Sequence, residues 1–98
     1  MTTGLAGLVE SEREEILRIA ACHGAANVRV FGSVTRGEDD AGSDVDLLVD
    51  MQPEHSPFFP GGLVADLEEL LGRNVHVVTE DALHWAMRAN VLKEAVKL

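Results

Sequence analysis

Two aspartates separated by a single residue could bind a divalent cation. Asp44 and Asp46 begin a run of alternating acidic and apolar residues over 44–51, which predicts a β-strand. Residues i and i+2 of a strand project to the same side, about 6.5–7 Å apart, so both carboxylates can bind one hard cation such as Mg²⁺. Alternating acids are equally typical of a solvated strand face, an interpretation that fits Asp50, and the pair alone does not decide between them.

A glycine–serine turn precedes this strand. Residues 27–32 predict a shorter strand that ends at Gly32, and the small, polar residues over 33–43 predict a turn or loop. A glycine at such a turn lets backbone N–H groups approach a phosphate, and Ser33 can donate from its N–H and its hydroxyl. Arg36 lies in the same loop, where it either reaches phosphate oxygens or is simply solvated. With the aspartate pair, these residues describe a nucleoside triphosphate bound through its phosphates and through metal.

Hydrophobic periodicity predicts the elements that must position these residues. A capping box at residues 11–14, with an acid three residues after a serine, predicts a helix that begins at Ser11 and ends near Gly24. A second helix, a third strand and a final set of helical pieces are predicted at 62–71, 74–79 and 80–97. The order α, β, turn, β, α, β, α predicts an α/β (α+β) fold with a small sheet covered by helices.

Composition and charge restrict the class of function. The 98 residues are 46% apolar, which supports one hydrophobic core, and we expect residues 1–98 to form a single domain. The net charge of −9 repels phosphate backbones, so we expect no direct binding of nucleic acid. No apolar run approaches the roughly 18 residues of a membrane helix, and the N-terminus lacks the pattern of a signal peptide. The single cysteine cannot form an internal disulfide, so we expect a cytoplasmic location.

The motifs resemble those of a known superfamily. Gly32-Ser33, Arg36-Gly37 and the run over 43–50 look like the signature of the DNA polymerase β-like nucleotidyltransferases. Residues 67–73 and 92–96 are similar to the corresponding stretches of its minimal members (MNT), which are typically antitoxins encoded beside a HEPN-domain toxin. The resemblance covers residues 11–98. It implies a nucleotidyltransferase core of that extent, built on a small mixed β-sheet flanked by helices.

The resemblance also implies a reaction and its residues. ATP would bind through its phosphates at Gly32, Ser33 and Arg36, while Asp44 and Asp46 would hold Mg²⁺, with Mn²⁺ as the alternative. The reaction implied is transfer of AMP from ATP to a hydroxyl of the HEPN toxin, which silences the toxin. The chain would thus be an enzyme that acts as an antitoxin.

One position departs from the family's pattern. The resemblance implies a third carboxylate on the strand predicted over 74–79, where this chain has His76. In two-metal nucleotidyl transfer, that acid helps to hold the metal and accepts the proton of the incoming hydroxyl. A neutral imidazole can accept the proton, since its ordinary pKa is about 6.5. It is a poor ligand for Mg²⁺, however, and suits Mn²⁺ or Zn²⁺ better.

Two functions therefore remain open. With Asp44, Asp46 and His76 as catalytic residues, the chain adenylylates its toxin partner. With a catalytically weak site, it neutralises the HEPN toxin by contact alone. A third function, transfer to a small molecule, is disfavoured because little chain lies beyond the core to build an acceptor pocket.

Overall fold

Helices and strands follow one another along the described part of the chain. The computed structural model describes residues 4–32, 44–55, 57 and 59–98. For residues 4–6 and 8 it describes the backbone only. In chain order the elements are α1 (Gly4–Ser11), α2 (Arg13–Cys22), β1 (Ala25–Phe31), β2 (Val45–Met51), α3 (Gly61–Leu71), β3 (Val75–Thr79), a 3-10 helix (Glu80–Ala82), α4 (Trp85–Glu94) and β4 (Val96–Lys97). No helix among these residues is both long and apolar enough to cross a membrane.

The strands form one four-stranded mixed sheet. Its order is β3-β2-β1-β4, with β2 and β3 parallel and β1 antiparallel to both of its neighbours. The α/β class and the mixed sheet flanked by helices are therefore confirmed. The predicted strands are also confirmed, with ends that differ by one or two residues from the predicted ones.

One face of the sheet, the core face, carries the hydrophobic core. Strand residues that alternate in sequence point to this face, where they pack against α1, α2 and α3. The buried members are Val9, Ile16, Ala20, Ala25, Val28, Val30, Val45, Leu47, Val49, Leu63, Leu67, Leu71, Val75 and Val77. Burial of this set fixes the register of the strands, because a slip by one residue would turn the apolar set toward the opposite face.

The opposite face, the open face, carries the polar residues. Strand pairing brings Phe31 opposite Asp46 and Arg29 opposite Leu48, and all four side chains therefore lie on this side. Leu48 is nevertheless completely buried. Two described segments that follow β3 lie on this side: the 3-10 helix contacts Arg29 through Glu80, and α4 lines a cleft beside Phe31 and Asp46.

A chain of ion pairs connects α4 to the open face. Arg29 contacts Asp50 Oδ1 at 2.8 Å and Glu80 Oε1 at 3.1 Å. Arg88 of α4 in turn lies 3.6 Å from Glu80 Oε2. Within α4, Val91 is the buried residue. These ion pairs and one apolar anchor therefore set the position of a helix that is otherwise exposed.

The predicted start of the first helix is wrong. Ser11 is the last residue of α1, and α2 begins at Arg13 after Glu12, which makes no side-chain capping bond. The reason lies upstream, where Val9 is buried in the core. Because burial of Val9 favours a helix before Ser11, the serine has helical backbone and cannot adopt the extended conformation of a capping residue.

We predict that Leu67→Ala lowers the free energy of unfolding by about 2–5 kcal/mol, because the change leaves a cavity in the core. Leu67 is 1% exposed. The matched control is Leu92→Ala on α4, where the side chain is 38% exposed and the expected loss is below about 1 kcal/mol. Urea denaturation followed by circular dichroism measures both values, and equal losses would contradict this assignment of the core.

Candidate active site

Asp44, Asp46 and His76 come together because β2 and β3 are parallel neighbours. Asp46 lies opposite His76 in the strand register, and Asp44 comes directly before β2. The His76 side chain donates from Nε2 to Asp44 Oδ2 at 2.7 Å. The structure therefore places His76 beside the two aspartates, as the sequence predicted, and shows that its direct partner is Asp44.

Gly32 brings the end of β1 against Asp46. Its φ of 81° lies in the left-handed region that favours glycine. A Cβ atom built at this position would lie 2.5 Å from Asp46 Oδ2. The carboxylate therefore occupies the space that any other side chain would need. The structure thus brings one aspartate of the predicted pair against the glycine of the predicted turn.

The charge on His76 is coupled to the aspartates. Its hydrogen bond to Asp44 raises the pKa of His76 above the usual 6.5, and burial partly opposes this rise. The negative charges of Asp44, Asp46 and Glu68 raise the pKa further. The protonated imidazole therefore offsets part of the negative charge at the site.

The carboxylate oxygens of the site suit a hard cation that takes its remaining ligands from substrate and water. The described side chains do not form a complete site built wholly from protein ligands. Among the described residues, no group of three or more His, Cys, Asp or Glu side chains is arranged to hold a metal ion. Mg²⁺ is commonly bound by one or two carboxylates together with substrate phosphates and water. The donor set of Asp44 and Asp46 matches that mode, in which His76 is a neighbour of the metal's ligands.

A cleft of about 850 Å³ opens beside Asp46 and Gly32. Phe31 belongs to the same wall, and the opposite wall is α4, which contributes Met87, Asn90, Val91, Lys93 and Glu94. The sequence reasoning missed this second wall. A usable signal was present, because 87, 90, 91 and 94 follow the i, i+3, i+4, i+7 spacing of one helix face.

The remaining predicted site residues lie outside the described residues. These are Ser33 and Arg36, together with the rest of the segment between Gly32 and Asp44. The predicted turn or loop over 33–43 lies there as well.

Comparison with known proteins identifies the family. The model of the nucleotidyltransferase domain family matches residues 13–98. The chain belongs to this family. The nucleotidyltransferase is 37% identical over 91 residues to the protein adenylyltransferase MntA of Thermococcus cleftensis, covering 85% of this chain and 92% of that relative.

Solved structures agree with this assignment. One that is assigned as a minimal nucleotidyltransferase is 42% identical, with a TM-score of 0.83 and coverage of 95% of each chain. A toxin–antitoxin crystal structure with AMP-PNP shares the fold, with a TM-score of 0.71, 19% identity and coverage of 90% of this chain and 70% of that one. Membership of the minimal nucleotidyltransferases, predicted from the motifs, is confirmed.

We predict that Gly32→Ala weakens binding of Mg²⁺·ATP by at least about tenfold, because the new Cβ displaces the Asp46 carboxylate and strains the turn. The matched control is Gly61→Ala at the start of α3, where a Cβ would meet nothing within 4 Å. Isothermal titration calorimetry measures both affinities. Equal affinities in the two variants would contradict the packing of Asp46 on Gly32.

We predict that Asp44→Asn lowers the pKa of His76, because it removes the hydrogen-bonded negative charge. Asp46→Asn should lower it less, since Asp46 acts on His76 through its charge alone. A raised folded-state pKa adds stability that is complete below the usual 6.5 and is lost as the pH rises through the folded value. Two-dimensional NMR of the imidazole protons measures the pKa in each variant, and a larger change in Asp46→Asn would contradict the pairing with Asp44.

Proposed function

We propose that this nucleotidyltransferase transfers AMP from ATP to a hydroxyl of a toxin protein and thereby acts as an antitoxin. The observation that carries the proposal is the packing of the Asp46 carboxylate on Gly32, on one wall of a cleft, with Asp44 and His76 beside it. Its relative in Thermococcus cleftensis is named a protein adenylyltransferase, which supports both AMP as the transferred group and a protein as the acceptor.

The phosphate chain is held between the turn and the aspartates in this proposal. The backbone at Gly32 and Ser33 donates to phosphate oxygens, and Arg36 adds a positive charge. Asp44 and Asp46 hold Mg²⁺, with Mn²⁺ as the alternative. When bound, the cation neutralises charge that builds up on the phosphate oxygens during transfer.

The transfer forms one bond and breaks one. The acceptor oxygen attacks the α-phosphorus of ATP, the bond between the α-phosphorus and the bridging oxygen breaks, and pyrophosphate leaves. The proton of the acceptor hydroxyl goes to His76 in its neutral form. Asp44 orients that imidazole and raises its basicity through the 2.7 Å hydrogen bond. His76 is 59% exposed in its side chain and can release the proton to water.

A toxin partner is supported by exposed apolar residues on α4. Trp85 is 82% exposed, and Leu92 lies seven residues further on the same side of the helix. The side of α4 that carries Trp85 and Leu92 does not line the cleft. A toxin bound there would therefore leave the cleft open, and a hydroxyl of the toxin could enter it. A partner with basic residues would complement the net charge of −9. A HEPN-domain toxin and a cytoplasmic location stay predictions from the sequence.

The same observation favours a second candidate function. If Trp85 and Leu92 bind the toxin tightly, contact alone could neutralise it. In that case His76 weakens catalysis because it replaces a carboxylate near the metal ligands. The two functions differ in whether Asp44 and Asp46 are needed for neutralisation.

We predict that the double change Asp44→Asn, Asp46→Asn abolishes both AMP transfer and neutralisation of the toxin, because it removes the carboxylates that hold the cation. The chain is co-expressed with the toxin encoded by the adjacent gene. Intact-mass spectrometry of the toxin detects the added AMP, and host growth reports neutralisation. The matched control is Asp81→Asn, an exposed carboxylate of the 3-10 helix outside the cleft, which should leave both readouts unchanged.

Three outcomes are informative. Loss of both readouts in the double variant supports enzymatic neutralisation. Neutralisation that survives without added AMP favours the contact function. A toxin that carries no AMP with the unaltered chain shows that the proposed transfer does not occur.

A further inference from the structure

We propose that Lys93 of α4 binds the phosphate chain of the nucleotide, so that α4 forms the second wall of the nucleotide site. This inference rests on the proposed function and extends it to a helix that the sequence motifs did not include. The ligand proposed for the α4 side of the cleft is a nucleoside triphosphate.

The placement of Lys93 carries the first step. Lys93 lines the same cleft as Gly32 and Asp46, on the opposite wall. Its charge lies at the end of a flexible four-carbon stem, which lets the ammonium group follow phosphate oxygens across an open cleft. A nucleotide whose phosphates lie at the glycine turn would therefore have the ammonium group of Lys93 within reach from the α4 side of the cleft.

The second argument is that the positive charge of Lys93 has no carboxylate partner among the described residues. A chain of net charge −9 must supply local positive charge to bind a polyanion. Three of its arginines already have carboxylate partners: Arg18 with Glu15, and Arg29 and Arg88 with Glu80. Within the described part of the chain, the Lys93 side chain makes no ion pair or hydrogen bond. Its charge is therefore available to a ligand.

The anchoring of α4 carries the third step. Arg88 joins the helix to Glu80, and Glu80 joins Arg29 of the sheet. Val91, two residues before Lys93, is buried. Because both anchors lie within five residues of Lys93, the base of its side chain is held at a constant position relative to the glycine turn.

A structural role for Lys93 makes a different prediction. Lys93 lies in the last turn of α4, where a positive charge also stabilises a helix through its dipole. That role would change thermal stability without regard to the nucleotide. A role in binding phosphates instead depends on the number of phosphates in the ligand.

The experiment compares the binding of ATP, AMP and adenosine, with and without Mg²⁺, by isothermal titration calorimetry. We expect Lys93→Gln to weaken ATP binding by about tenfold, as for the loss of one charge-assisted hydrogen bond, and adenosine binding by less than twofold. Lys93→Arg should retain most of the affinity because it keeps the charge. The matched control is Lys97→Gln, on the exposed strand β4 and outside the cleft.

The results separate this inference from the proposed function. If the unaltered chain does not bind Mg²⁺·ATP, the proposed function fails. If it does bind, but Lys93→Gln matches Lys97→Gln or loses adenosine as strongly as ATP, the role of Lys93 is overturned. A loss in Lys93→Arg equal to that in Lys93→Gln would also overturn it. Thermal unfolding of each variant confirms that the folded state is being compared.

Discussion

The close packing of the Asp46 carboxylate on Gly32 is the contact on which the site depends. The glycine has no side chain and a positive φ, so the aspartate of the neighbouring strand can lie directly on the turn. Antiparallel pairing of β1 and β2 brings the two positions together, since Phe31 is opposite Asp46. In the proposed function, this contact places the phosphates and the cation in one site.

The two faces of the sheet have different roles: the core face stabilises the fold, and the open face carries the residues of the candidate site. The core face buries a nearly unbroken set of aliphatic residues against three helices, and this burial stabilises the fold. The open face is free of that demand and can carry carboxylates next to one another. The repulsion between them is tolerated because His76 and solvent both reach the site.

His76 changes how the charges of the site balance. A carboxylate at this position would add negative charge beside Asp44 and would require a cation to offset it. The histidine instead donates a hydrogen bond to Asp44 and carries a proton more readily than a free imidazole does. In its protonated form it offsets part of the negative charge of the aspartates, and in the proposed reaction its neutral form accepts the proton of the acceptor hydroxyl.

The sequence alone determined the parts of this protein that depend on local pattern. Alternation over 44–51 predicted β2, and the glycine–serine and aspartate motifs predicted the family and a cleft shared by the two motifs. The sequence did not predict that Ser11 would end a helix, because that depends on the burial of Val9 by elements distant in the chain. The tertiary structure alone decided the pairing of His76 with Asp44 and the position of α4 over the cleft. Both depend on strand order and on ion pairs between residues far apart in sequence, such as Arg29 and Glu80.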